Sequence, residues 1–197
     1  ADFAVKGSVA GIAPLGDGLI NDTYLVRTAE DDESDYVLQR INNRVFPDVG
    51  MVMRNISIVT AHIRRKLTEA GETDLRHHVL EFIPTVEDRE KLYVEKDGSF
   101  WRLMIFIDHA STKTEVNVDS SRAAGEAFGH FQAMLSDVPD ELGETIKDFH
   151  NMEFRIEQLK QACVENRAER FDEPEVQELL KQLGLRAEAM THAERLG

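Results

Sequence analysis

The residues best suited to chemistry lie near the start of the chain, in GDGLINDTYLV, Gly16 to Val26. Two glycines flank Asp17, and Asn21, Asp22 and Thr23 follow with polar side chains. A glycine-rich turn lets backbone approach a ligand closely and can aim amide N–H groups at phosphate oxygens. The stretch therefore admits two readings, a plain hairpin turn or a phosphate cradle. It matches neither G-x-x-x-x-G-K-[ST] nor G-x-G-x-x-G, so the common phosphate fingerprints do not decide between them.

Other reactive side chains form weaker groupings. His77 and His78 are adjacent, point apart on a helix or a strand, and make a poor metal pair; they read as a solvated turn. Cys163 has no histidine near it in sequence and reads as an inert thiol. The run CVENR, Cys163 to Arg167, has the outline of a sulfatase C-x-P-x-R, but Glu165 stands where the proline belongs and the segment is helix-prone. Trp101 is expected to pack in the core, and His150 to be a satisfied structural histidine.

The elements that must position these groups follow from patterning. SVAGIAPLG and TYLVRT are short β-prone runs across the glycine turn, and YVLQRI, Tyr36 to Ile41, is a third strand. Behind a cap at Asp48, Val49, Val52, Met53, Ile56, Val59, Ile63 and Leu67 recur at helical spacing up to Gly71. Asp97-Gly98 in KLYVEKDGSFWRLMIFI signals a tight hairpin whose second strand ends near Ile107. DHASTKTEVNV is loop-like. Helix resumes from Asp119 to Ser136, where Gly125 and Gly129 suggest close helix packing, and again after Ile146, with Pro174 at a helix start.

Composition limits the partners. The chain has 197 residues, 42% of them hydrophobic, enough for one large domain or two small ones. Thirty-seven acidic against 23 basic residues give a net charge of −14, which opposes nucleic acid and anionic membrane surfaces alike. One cysteine allows no internal disulfide, and no apolar run approaches the ~18 residues of a membrane span, so a cytoplasmic protein is expected. The opening ADFAVKGSVAG lacks the features of a signal peptide and reads as a mature or trimmed start.

The blocks GDGLINDTYLV, YVLQRINNRVFPDV, MRNISIVT, FWRLMIFIDHAS, AAGEAFGHFQAMLSD and ETIKDFHNMEFR occur in the order, and at the spacing, of one enzyme group. Together they resemble the N-acetylhexosamine 1-kinases of the aminoglycoside phosphotransferase and choline kinase family, over Gly7 to Ala162. The resemblance implies an α+β, protein-kinase-like N-lobe: a five-stranded antiparallel sheet plus one helix in residues 1–108, which binds nucleotide. A hinge or linker at 109–118 and the first helices of a mainly α C-lobe at 119–197 would follow. It also implies ATP and Mg²⁺ as cofactors and transfer of phosphate to the anomeric hydroxyl of GlcNAc or GalNAc. Choline, an aminoglycoside or homoserine are the alternative acceptors, and a non-catalytic nucleotide-binding or interaction module is the alternative class.

In this reading Gly16, Asp17, Gly18, Asn21 and Thr23 belong to the phosphate-covering loop, with Gly18 holding a strained backbone angle. Gln39 stands where kinases place the strand lysine that holds the phosphates, and backbone groups of Phe106, Ile107 and Asp108 face adenine at the hinge. Two departures accompany Gln39: the lysine is absent, and the helix after Asp48 carries no acidic partner before Glu69. Alternation places Arg40 on the opposite strand face, as a solvated arginine. No histidine begins the H-x-D-x-x-x-x-N catalytic loop and no metal-binding residue is assigned. The chain is expected to be an N-terminal part that stops before the catalytic loop and is inactive alone.

Overall fold

The computed structural model describes residues 2–16, 18–111 and 115–192. Five strands form one antiparallel sheet: β1 (Val9–Pro14), β2 (Asp22–Thr28), β3 (Tyr36–Ile41), β4 (Val94–Lys96) and β5 (Ser99–Ile105). Their order is β1-β2-β3-β5-β4, so β5 crosses back to pair with β3, and β1 and β4 form the edges. An irregularity between Val9 and Gly11 shifts the register of β1 on β2. The third strand spans Tyr36–Ile41 as its β-branched and aromatic content predicts.

Local chemistry closes each element. Asp97 and Gly98 both take positive φ, 51° and 71°, the two-residue turn whose twist matches paired strands. β4 covers only Val94–Lys96, because the chain just before it is held in a turn by Thr85 N–H on the Lys91 carbonyl. β5 ends at Ile105, two residues short of Ile107, and the Phe106 N–H still bonds the Asp35 carbonyl in the segment leading into β3.

Helix α1 (Val49–Glu69) begins where Asp48 accepts the Met51 N–H at 2.8 Å. It ends at Gly71, φ +83°, with Gly71 N–H on the Thr68 carbonyl and Glu72 N–H on that of Leu67, a paired closure that satisfies the last carbonyls. A helix of four residues, α2 (Leu75–His78), follows where the sequence reads as a solvated turn. Helix α3 (Val118–Leu135) starts on a reciprocal cap between Asn117 and Ser120. Among the described residues nothing packs against Gly125 or Gly129, and Phe128 is 69% exposed.

The sheet buries apolar side chains on both faces. Tyr36, Val26 and Leu103 pack with Phe3 and Ile83 on one side, where Leu38 and Trp101 add to the cluster. On the other, Ile41 packs with Val49 and Met53 of α1, flanked by Phe46 and Phe100. Burying a large apolar side chain contributes up to about 1.5–3 kcal/mol, which fixes α1 against β3 and β5.

Two compact units are distinguished, Ala1–Thr145 and Ile146–Gly197. The second contains α4 (Met152–Glu165) and α5 (Pro174–Met190), with Pro174 in the first turn as expected. Cys163 is half-buried there, on α4 in an apolar groove with Leu159 and Leu183, and CVENR runs through the end of α4. Among the described residues no helix is long and apolar enough to cross a membrane.

Candidate functional site

The β1–β2 loop is tied down at its base. Leu15 N–H donates to the Thr23 carbonyl at 2.8 Å, and the Asn21 side-chain oxygen accepts the Asn42 N–H at 3.0 Å, joining the loop to the end of β3. Gly16 takes the left-handed conformation, φ +71°, with open space where a Cβ would point. Gly18 is constrained sterically: a Cβ would stand 3.0 Å from the Asn21 carbonyl oxygen. Leu19 is fully exposed at the tip, and Asp17 lies outside the described residues.

Beside the loop, three side chains form a row across β2, β3 and β5. Thr23 pairs in register with Gln39, and Gln39 with Arg102, so the pleat sets all three on one face. Gln39 Nε2 donates to Thr23 Oγ1 at 3.0 Å. Its Oε1 accepts twice from Arg102, from Nε at 3.0 Å and from Nη2 at 2.8 Å. Arg102 also lies over the Phe82 ring, 5.5 Å from the centroid, and burial pushes its pKa down. Among the described residues it forms no ion pair. Gln39 and Arg102 line a mainly apolar cavity of about 570 Å³ with Val59, Ile63, Met104 and Phe131.

The opposite face carries ordinary surface electrostatics. Arg40 is exposed and pairs with Asp22, its register partner, with Nε to Oδ2 at 2.6 Å. Such a pair contributes little and screens with salt. The alternation expected from the sequence is therefore observed.

The hinge segment is more constrained than its sequence suggests. The Phe106 N–H is used on Asp35, and its carbonyl lies 3.4 Å from Arg76 Nη2. The Asp108 carboxylate accepts from His77 Nε2 at 2.8 Å and from Arg76 at 3.2 Å. His77 Nδ1 turns to Asp74 at 2.8 Å. The bond from His77 is the main cause that holds the Asp108 pKa below 3.8, and the same bond, followed by that to Asp74, raises His77 above 6.5. Ile107 is half-buried between these anchors. The contacts of Arg76 and His77 with the hinge, and of Arg102 with Gln39, carry no signal in the linear sequence, because the partners lie 30 or more residues apart.

Hydrogen-bond donors dominate the row beside the loop: an amide N–H₂, a hydroxyl and a guanidinium. They suit phosphate oxygens. They do not suit a divalent cation, and among the described residues no group of three or more His, Cys, Asp or Glu could hold a metal ion.

A five-stranded antiparallel sheet with one helix against it and a glycine loop over a row of donors is the nucleotide-lobe design of kinase-like proteins. Residues 11–196 match the model of the phosphotransferase enzyme family, APH, and the chain belongs to that family. It is also similar to the crystal structure of spectinomycin phosphotransferase, APH(9)-Ia, in complex with ADP and spectinomycin, with a TM-score of 0.37 and 11% identity. That likeness covers 82% of this chain and 51% of the other, so the chain spans about half its length.

Proposed function

We propose that this chain supplies the nucleotide-binding part of an ATP-dependent small-molecule kinase, with 1–108 as the N-lobe, 109–118 as the linker and 119–197 as the start of a helical acceptor lobe. The observation that carries this is the family match over residues 11–196. The donor row of Thr23, Gln39 and Arg102 beside the Gly16–Gly18 loop supports it.

In this reading each group has a part. Gly16 and Gly18 let the loop close over the phosphates, Asn21 fixes its base, and Thr23 and Gln39 present donors. Backbone groups of Ile107 and Asp108, held by the Arg76 and His77 contacts, are the adenine edge. Bound ATP supplies the transferable phosphoryl group. Phosphoryl transfer is mostly positioning and charge stabilisation, so the part of these residues is to orient and neutralise. Among the described residues no carboxylate set fits Mg²⁺, and no step through a metal is assigned to this chain.

The acceptor is an N-acetylhexosamine, phosphorylated at the anomeric hydroxyl, in a cytoplasmic setting. The ordered blocks from Gly7 to Ala162 support this choice. The test incubates the natural full-length protein with ATP and GlcNAc, GalNAc, choline, homoserine or an aminoglycoside, and follows product by mass spectrometry. Sugar 1-phosphate is the expected product. Phosphate on another acceptor would reassign the substrate, and nucleotide binding without turnover on any of them would make the protein a binding module.

A further inference from the structure

We infer that Arg102 is a positioning residue for the nucleotide's polyphosphate: it fixes the orientation of the Gln39 amide and, with it, takes over the place of the strand lysine and its acidic helix partner. The inference rests on reading the β1–β2 loop as the nucleotide cover.

The amide has two faces of opposite character. Its oxygen only accepts, and its nitrogen carries two protons to donate. Arg102 only donates, and its Nε and Nη2 converge on Gln39 Oε1 at 3.0 and 2.8 Å. Turning the amide over would set N–H₂ against guanidinium, so Oε1 must face β5 and Nε2 must face β2 and the loop. One Nε2 proton goes to Thr23 Oγ1 at 3.0 Å. The Thr23 hydroxyl, having accepted, keeps its own proton to give. Hydrogen bonds therefore run in one direction, from Arg102 through Gln39 to Thr23, each polarising the next, and the row ends in donors beside the loop.

Charge points the same way. A half-buried arginine with no carboxylate partner among the described residues is poorly compensated by its surroundings. Burial already pushes its pKa down, and the Phe82 ring offers only a weak attraction. An anion seated by the loop supplies the missing charge. Placing lysine at position 39 would instead bring two cations together, which accounts for the amide there.

The experiment measures ATP affinity by calorimetry, and melting temperature on the same samples, in the natural full-length protein. Gln39→Glu gives Arg102 a carboxylate while aiming negative charge at the phosphates. The expected result is an unchanged or higher melting temperature with ATP binding weakened about tenfold or more, the scale of losing a hydrogen bond to a charged group. A merely structural pair would not separate the two readouts. Arg102→Met should also weaken ATP about tenfold. Gln39→Lys combined with Arg102→Glu should bind ATP better than Gln39→Lys alone. Normal ATP affinity in Gln39→Glu overturns the inference, and this variant decides the matter even if Arg102→Met does not fold. A folded wild-type protein that binds no ATP overturns the proposed function itself, a different result from variants that bind as wild type does.

Discussion

Asp108, three residues past the end of β5, and His77, on the four-residue α2, meet through carboxylate Oδ1 and imidazole Nε2 at 2.8 Å, although 31 residues separate them. With Arg76 on the other carboxylate oxygen, this clasp anchors the segment that follows the sheet.

The clasp carries a pH signature. The His77 pKa is raised above 6.5, chiefly by the bond to Asp108, so its contribution is complete below 6.5 and fades as pH rises through the raised value. The Asp108 pKa is lowered from 3.8, chiefly by His77, so its contribution is present above 3.8 and is lost as pH falls through the lowered value. Both terms are full between 3.8 and 6.5. Asp108→Asn should bring the His77 titration, followed by ring-proton NMR, down toward that of an ordinary imidazole. A titration that does not move would break the assignment.

The two loop glycines should respond differently. At Gly16 a side chain has room but must hold φ +71°, so Gly16→Ala should lose about 1 kcal/mol of stability and disturb ATP kinetics less than a change at Gly18 does. At Gly18 a Cβ meets the Asn21 carbonyl at 3.0 Å, so Gly18→Val must move the loop and should raise the Michaelis constant for ATP and lower turnover. Full activity in Gly18→Val would make the loop a turn and nothing more.

Asn21→Ala removes the bond that joins the loop to the Asn42 N–H. The expected loss is about 1 kcal/mol in denaturant unfolding, with faster amide exchange at Asn42. Unchanged exchange there would show the amide to be satisfied by another group.

Asn55, on α1, both donates to the Gly143 carbonyl at 2.6 Å and accepts the Gly143 N–H at 3.0 Å. Losing the pair should destabilise Asn55→Ala by about 1–3 kcal/mol. Gly143→Ala keeps both backbone groups and meets only the flexible Met51 side chain, 2.6 Å from its Cβ at Sδ, so it should cost less than Asn55→Ala. Wild-type melting in Asn55→Ala would exclude this tie as a stabilising contact.

Much of this was legible because it is local. Tyr36–Ile41, the Asp48 cap, the Gly71 closure and the Asp97-Gly98 turn each depend on a few neighbouring residues, and the sequence carries those signals directly. The α2 helix was not legible, since four residues are too short to show a period. Gln39 could be placed on its strand by pattern, but its partner could not: Arg102 is 63 residues away, and only the β3–β5 register brings them together. The same distance effect hid the part of Arg76 and His77 at the hinge. Gly16 uses the freedom of angle that a glycine in a turn signals, whereas the close approach of the Asn21 carbonyl to Gly18 depends on how the loop folds back and leaves no mark in the sequence.

The edges of the sheet bear on how copies of this chain behave in concentrated solution. A long, flat edge invites a second molecule to add its own strand, the first step of ordered aggregation. Here one edge, β1, is fully exposed but ends in Pro14, which has no N–H to offer, and is kinked between Val9 and Gly11. The other, β4, is three residues long and carries Glu95 and Lys96. Neither edge makes a good template, so the sheet can leave both sides in water without recruiting its own kind.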